Sequence, residues 1–132
     1  MSESYKGLSE HMLEAWSIKY TSGIHLGKAC SNYLDHLYDM AINYDAVYFV
    51  TAMLPCYKLW PWLGKQLTAK QNDFGVYTQW VEENLDPTYT GYIDLETLIN
   101  EEEKHGRINR KMALTVFKRS MENERDFFSS VP

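Results

Sequence analysis

The chain reads as an all-α helical bundle on three observations. Apolar residues recur at spacings of three and four along most of its length, no segment of four or more residues alternates cleanly apolar and polar, and no turn dipeptide joins two β-branched runs. With 132 residues, 45% of them hydrophobic and 14% aromatic, the chain has the apolar mass for one real core and little room for a second. Residues 1–132 therefore read as a single domain without internal repeat, low-complexity tract or linker.

Leu8, Met12, Leu13, Trp16 and Tyr20 predict a first helix over 8–20, interrupted by Gly23. A second, from about Ile24 to Asn43, carries Ala29, Cys30, Tyr33, Leu34, Leu37, Met40 and Ala41, and its length makes it a principal helix of the bundle. The run YDAVYFVTAMLPC, from Tyr44 to Cys56, is apolar nearly all round, which predicts a central helix, with Asn43 or Asp45 capping its start. Pro55 is expected to kink or restart that helix just before Cys56, and Pro61 adds a second irregularity, so CYKLWPWLGKQL reads as a distorted core segment.

After a turn at Asn72-Asp73, Tyr77, Trp80, Val81 and Leu85 predict a helix over 74–85, and DPTYTG reads as a loop. Helical periodicity returns over 93–100, weakens near Gly106 and continues over 108–128 with Met112, Leu114, Val116, Phe117, Met121, Phe127 and Phe128. A bundle built around the Tyr44 to Leu54 helix needs cover on every side. That cover is expected from an N-terminal part of the domain that the chain lacks, from another copy of the chain, or from both.

Charge excludes one class of partner. Thirteen Lys and Arg against eighteen Asp and Glu give a net charge of −5, whereas tracking a phosphate backbone takes a concentrated basic stripe. The one dense basic stretch, Lys104 to Lys111, follows Glu101, Glu102 and Glu103 and reads as a solvated helix of mixed charge, so no nucleic acid is expected. Cys30 and Cys56 make no disulfide scaffold, and no Cys/His spacing suggests a metal site. The N-terminus lacks the pattern of a signal peptide, and no stretch approaches the roughly eighteen apolar residues of a membrane span. The default compartment is the cytoplasm, or a nucleus entered passively.

Cys56 is the most informative residue for chemistry. It follows Pro55 at an expected break, where freed backbone donors are read as stabilising a thiolate and lowering the thiol pKa. As a nucleophile it would attack an electron-poor carbon and need neighbours to donate and accept protons. An inert packing cysteine fits the same spacing. Tyr33, Tyr48, Tyr57, Trp60 and Tyr77 supply rings that either sandwich a flat heterocycle or fill the core. Glu124, in MENERDFF, lies beside the apolar stripe of Phe117, Met121 and Phe128, where a carboxylate can serve as general acid and base; a surface pairing with Arg125 or Lys118 is the alternative. His11, His25, His36 and His105 show no catalytic or ligand pattern and read as surface or capping residues.

Four runs, ACSNYLDHL, LPCYKLW, YTQWVEENL and FKRSMENERDFF, stand in order along nearly the whole chain. Together they resemble the C-terminal part of the TenA family, helical proteins of the haem-oxygenase-like fold known as thiaminase II or aminopyrimidine aminohydrolase. The resemblance implies Cys56 as nucleophile, Tyr33 as an active-site tyrosine and Glu124 as the proton-transfer carboxylate. It also implies attack on the pyrimidine ring of thiamine or of a breakdown product, with release of thiazole or an amine and completion by water. No metal, haem or other cofactor is implied, and assembly into homo-oligomers is.

Two positions depart from the family pattern. Where the family has a tyrosine one turn after the cysteine this chain has Trp60, read as able to stack but without a phenolic hydroxyl. Where the run around Trp80 ends in another pocket tyrosine, this chain has Asn84. The helices that carry the family's pyrimidine-anchoring aspartate have no counterpart, so the chain reads as an N-terminally truncated member. The expectation is a TenA-like protein of thiamine metabolism with little or no independent activity; the alternative is an active aminohydrolase whose site is completed by oligomerisation or by related chains.

Overall fold

The computed structural model describes residues 10, 11, 13, 14, 17–20, 22, 25–68 and 72–130. Among them the architecture is helical without strands: α1 (Lys28–Asn43), α2 (Ala46–Thr68), a 3-10 turn (Gly75–Tyr77) running into α3 (Thr78–Asn84), α4 (Tyr92–Lys104) and α5 (Arg110–Phe128). The helix expected over 8–20 falls largely outside the described residues. Those described at 10, 11, 13 and 14 are helical. The chain leaves that helix at Ser17, whose φ is 55°. The Ser17 N–H meets the Glu14 carbonyl and the Ile18 N–H that of Leu13, a helix-ending hydrogen-bond pair that falls short of Tyr20.

Helix α2 is the hub, packing against α1, α4 and α5, while α1 and α5 also pack on each other. Its lack of a polar face has the predicted consequence: Val47, Tyr48, Thr51, Ala52 and Leu54 are buried. Met40 from α1 joins Val47, Tyr48 and Ala52 with Ile108 and Val116 in one core cluster, flanked by Leu37, Phe49, Ile99 and Met112.

The prolines act differently from the expectation. Helix α2 runs through both Pro55 and Pro61 as one 23-residue helix, without restarting at Cys56. Each proline leaves the carbonyl four residues earlier, at Thr51 and Tyr57, without its helical donor. Both prolines are buried, and packing on three neighbouring helices holds the segment helical. Of the two expected caps, Asp45 stands directly before α2 but serves through its backbone rather than its side chain, and Asn43 turns back to α1. The Asn43 amide donates to the Asp39 carboxylate at 2.8 Å, and Asp45 contributes its backbone carbonyl to the Tyr48 N–H at 2.9 Å.

Two local features fix the remaining helices. Gly64 is buried where α2 meets the exit of α3, so close that a β-carbon there would overlap the Leu85 carbonyl. At the other end, Gly106 takes a φ of 68°. Its N–H bonds Glu103 and the Arg107 N–H bonds Glu102, closing α4 in the left-handed way glycine favours. Asn109 then caps α5 by accepting from the Met112 N–H at 3.0 Å. The Asn109 N–H in turn donates to the Tyr48 hydroxyl at 2.9 Å, tying the start of α5 to the hub helix.

Tyr48→Phe removes that acceptor and leaves the Asn109 N–H unpaired. Its expected effect is a loss of about 1–2 kcal/mol of stability. Urea denaturation should show a lowered midpoint with unchanged slope and unchanged helix content.

Candidate functional site

Tyr33 sits on α1, Cys56 and Trp60 on α2, and Glu124 on α5, the three helices that all touch one another. Glu124 is buried, at 8% exposure, in spite of its charge. It accepts the Tyr33 hydroxyl on Oε1 at 2.5 Å, and its carboxylate lies near enough to Cys56 for its charge to act on the thiol. Trp60, one helical turn after Cys56, donates its indole N–H to the sulfur at 3.3 Å. Three residues singled out from separate parts of the sequence are thus in one cluster, with Trp60 attached to it.

Electrostatics within the cluster are opposite to the expectation for Cys56. The thiol is pushed up to about 11, first by burial and then by the Glu124 charge, with the Trp60 N–H pulling the other way. Pro55 does not offset the burial and the charge. A proline inside a helix frees a carbonyl, which is an acceptor, and contributes no N–H, so the position supplies no backbone donor to a thiolate. Burial, followed by the hydrogen bond and charge of Glu124, raises the Tyr33 phenol well above the usual tyrosine range and keeps it a donor. A nucleophilic Cys56 must therefore lose its proton as it attacks, and Glu124 is the adjacent acceptor.

The cluster borders two hollows rather than one. Glu124 faces a hollow of about 550 Å³ between α2 and α5, walled by Pro55, Trp62, Phe117 and Met121. Cys56 and Trp60 face another, of about 470 Å³, which Asn84 and Tyr57 also line. Asn84 points its amide at the Trp80 carbonyl at 2.8 Å. The other expected rings are placed elsewhere: Tyr48 anchors α5, Tyr57 lies beside Tyr89 with centroids 6.4 Å apart, and Tyr77 is exposed in the 3-10 turn.

Sequence reasoning missed a polar layer beside this cluster. His36, read as a surface or capping residue, is half-buried and hydrogen-bonds the fully buried Ser120 at 2.9 Å. Its pKa is lowered, first by burial and then by Arg119, which favours the neutral ring. Asn123 is buried with its amide nitrogen unpartnered among the described residues. Phe117, Met121 and Phe128 do line the same hollow as Glu124, but on its open side: Met121 is 54% and Phe128 44% exposed, whereas Ser120 is at 0%. The signal was present as Val116, Ser120, Asn123 and Glu124, one stripe at helical spacing that residue type alone disguises.

Among the described residues no group of three His, Cys, Asp or Glu side chains gathers as a metal ligand set, and no helix is long and apolar enough to cross a membrane. The family model for TENA/THI-4/PQQC matches residues 2–131, a span that takes in all four sequence runs and the stretch before the first. The chain belongs to that family. Neither the curated proteins nor the solved structures give a match.

Glu124→Gln removes the charge that opposes ionisation of Cys56. At pH 9, below the midpoint of the native thiol, alkylation of Cys56 by iodoacetamide should run severalfold faster in the variant than in the native chain. An unchanged rate would mean that the carboxylate does not act on the sulfur.

Proposed function

We propose that this member of the TENA/THI-4/PQQC family acts on an aminopyrimidine or thiamine-related small molecule, hydrolysing a C–N bond with Cys56 as nucleophile. The observation that carries the reading is the position of Glu124, hydrogen-bonded to the Tyr33 hydroxyl and close enough for its charge to act on the Cys56 thiol. An electron-poor ring carbon is the electrophile that suits a thiol. As sulfur adds to that carbon, its proton passes to Glu124 and the ring's C=N pair moves onto nitrogen; that pair returns to expel the leaving group from its own carbon, an amine taking the Glu124 proton and a thiazolium leaving as neutral thiazole with the proton released to water. Water then adds where the leaving group was, with Glu124 as base, and sulfur is expelled and takes its proton back. Tyr33 keeps the carboxylate oriented through these exchanges.

A second reading, a chain with little or no turnover alone, is favoured by the openness of both hollows and by Asn84, whose amide is committed to its own helix. Trp62, Trp80 and Phe128, all more than 40% exposed, border these hollows or the rings that line them. Apolar rims of this kind associate with other chains, and another copy of this chain is the partner proposed to close the site.

Amine release from an aminopyrimidine separates the readings. Active protein should lose about 10²- to 10⁴-fold in turnover with Glu124→Gln, and turnover should vanish with Cys56→Ser. Specific activity that rises with protein concentration indicates a site completed by association. No release at any concentration, with both variants behaving as the native chain does, rejects the hydrolytic reading.

A further inference from the structure

Trp60 has properties that a stacking ring does not need. Its indole N–H points along α2 at the Cys56 sulfur, 3.3 Å away. Edge-on contacts brace the ring from two other helices: Trp80 of α3, with centroids 6.0 Å apart and planes at 67°, and Phe128 of α5, at 6.2 Å and 65°. Such contacts favour one ring orientation, and this one aims the N–H at sulfur. An indole nitrogen is also a donor only; it neither accepts a proton nor gives one up under these conditions.

We propose that Trp60 is a positioning residue for Cys56, its braced N–H occupying one side of the sulfur so that the thiol proton is directed to Glu124 and the thiolate is met by a fixed donor. This rests on the reading of Cys56 as the nucleophile and adds to it. When the S–H bond breaks, its electron pair stays on sulfur and the proton goes to a Glu124 oxygen; the Trp60 N–H bond then becomes charge-assisted and strengthens. A hydroxyl in the same place could exchange protons with the sulfur. The indole cannot, so Glu124 and its partner Tyr33 carry the proton traffic. In support, the Trp60 bond is the one influence that lowers the thiol pKa against burial and the Glu124 charge.

The test reads the sulfur directly and does not require turnover, so its failure is separate from failure of the hydrolytic reading. The full chain carries Cys30→Ser, which leaves Cys56 as the only thiol of the two. Glu124→Gln is added to bring the thiol midpoint down to a range where a complete pH profile of iodoacetamide alkylation reaches its plateau. In that background Trp60→Phe, which keeps an aromatic ring and removes the donor, is expected to raise the midpoint by about half to one pH unit. The rate below the midpoint then falls by about three- to tenfold while the plateau rate is unchanged. A midpoint that stays put overturns the proposal. So does a change in the plateau alone, which would mark Trp60 as a mere cover over the thiol. Phe128→Leu loosens the brace while keeping the N–H, and should move the midpoint upward by less. It is the deciding variant if circular dichroism shows that Trp60→Phe has lost its fold, and an unmoved midpoint there overturns the proposal equally.

Discussion

The arrangement depends on a carboxylate placed inside a helical junction. Removing Glu124 from water is costly unless a partner restores part of its solvation, and the Tyr33 hydroxyl at 2.5 Å supplies a direct one. That bond joins α1 to α5 across 91 residues of sequence. One turn away His36 meets Ser120 across the same pair of helices, so the two contacts act as rungs that fix the register of α5 against α1. Once Glu124 is fixed, the state of Cys56 follows: burial and the neighbouring negative charge together favour the protonated thiol.

The hub helix makes this possible by not breaking. A restart at Pro55 would turn Cys56 and Trp60 together onto a new axis, out of line with the face that the first half of the helix packs against α1 and α5. Continuous helix through Pro55 and Pro61 keeps sulfur and indole in line. Gly64 lets the same helix approach the Leu85 carbonyl closely enough to seat the exit of α3 beside it. That seating brings Trp80 to the Trp60 ring.

Helix positions were legible in the sequence because hydrophobic period is a local property. The segments ending at Asn43 and Phe128 stop in the structure where the pattern stops, and the break at Gly106 is a true helix end. Cys56, Tyr33 and Glu124 were singled out by residue type and position, and then given roles by a resemblance spread over four runs; their meeting is a tertiary fact that no single run contains. Legible only as a spacing, and disguised by residue type, was the inward polar stripe of α5. Judged by residue type, Ser120 and Asn123 belong outside and Met121 and Phe128 inside; the structure reverses them because His36 and Tyr33 wait on the facing helix. A polar side chain becomes a core residue through its partner, and these partners lie 84 and 91 positions away.

The inverted helix also links stability to chemistry. A buried polar stripe gives up the transfer energy that apolar side chains would provide, and an unpartnered amide such as that of Asn123 costs about 1–3 kcal/mol. An apolar α5 interior would pack better and hold no carboxylate against the thiol. The apolar side chains displaced outward, Leu114, Met121, Phe127 and Phe128, then form surface with an affinity for cover. The polar interior that brings Glu124 to Cys56 and the apolar exterior that invites a second chain are therefore two faces of one helix. Substitutions that make α5 more conventionally amphipathic should strengthen the fold at the expense of both.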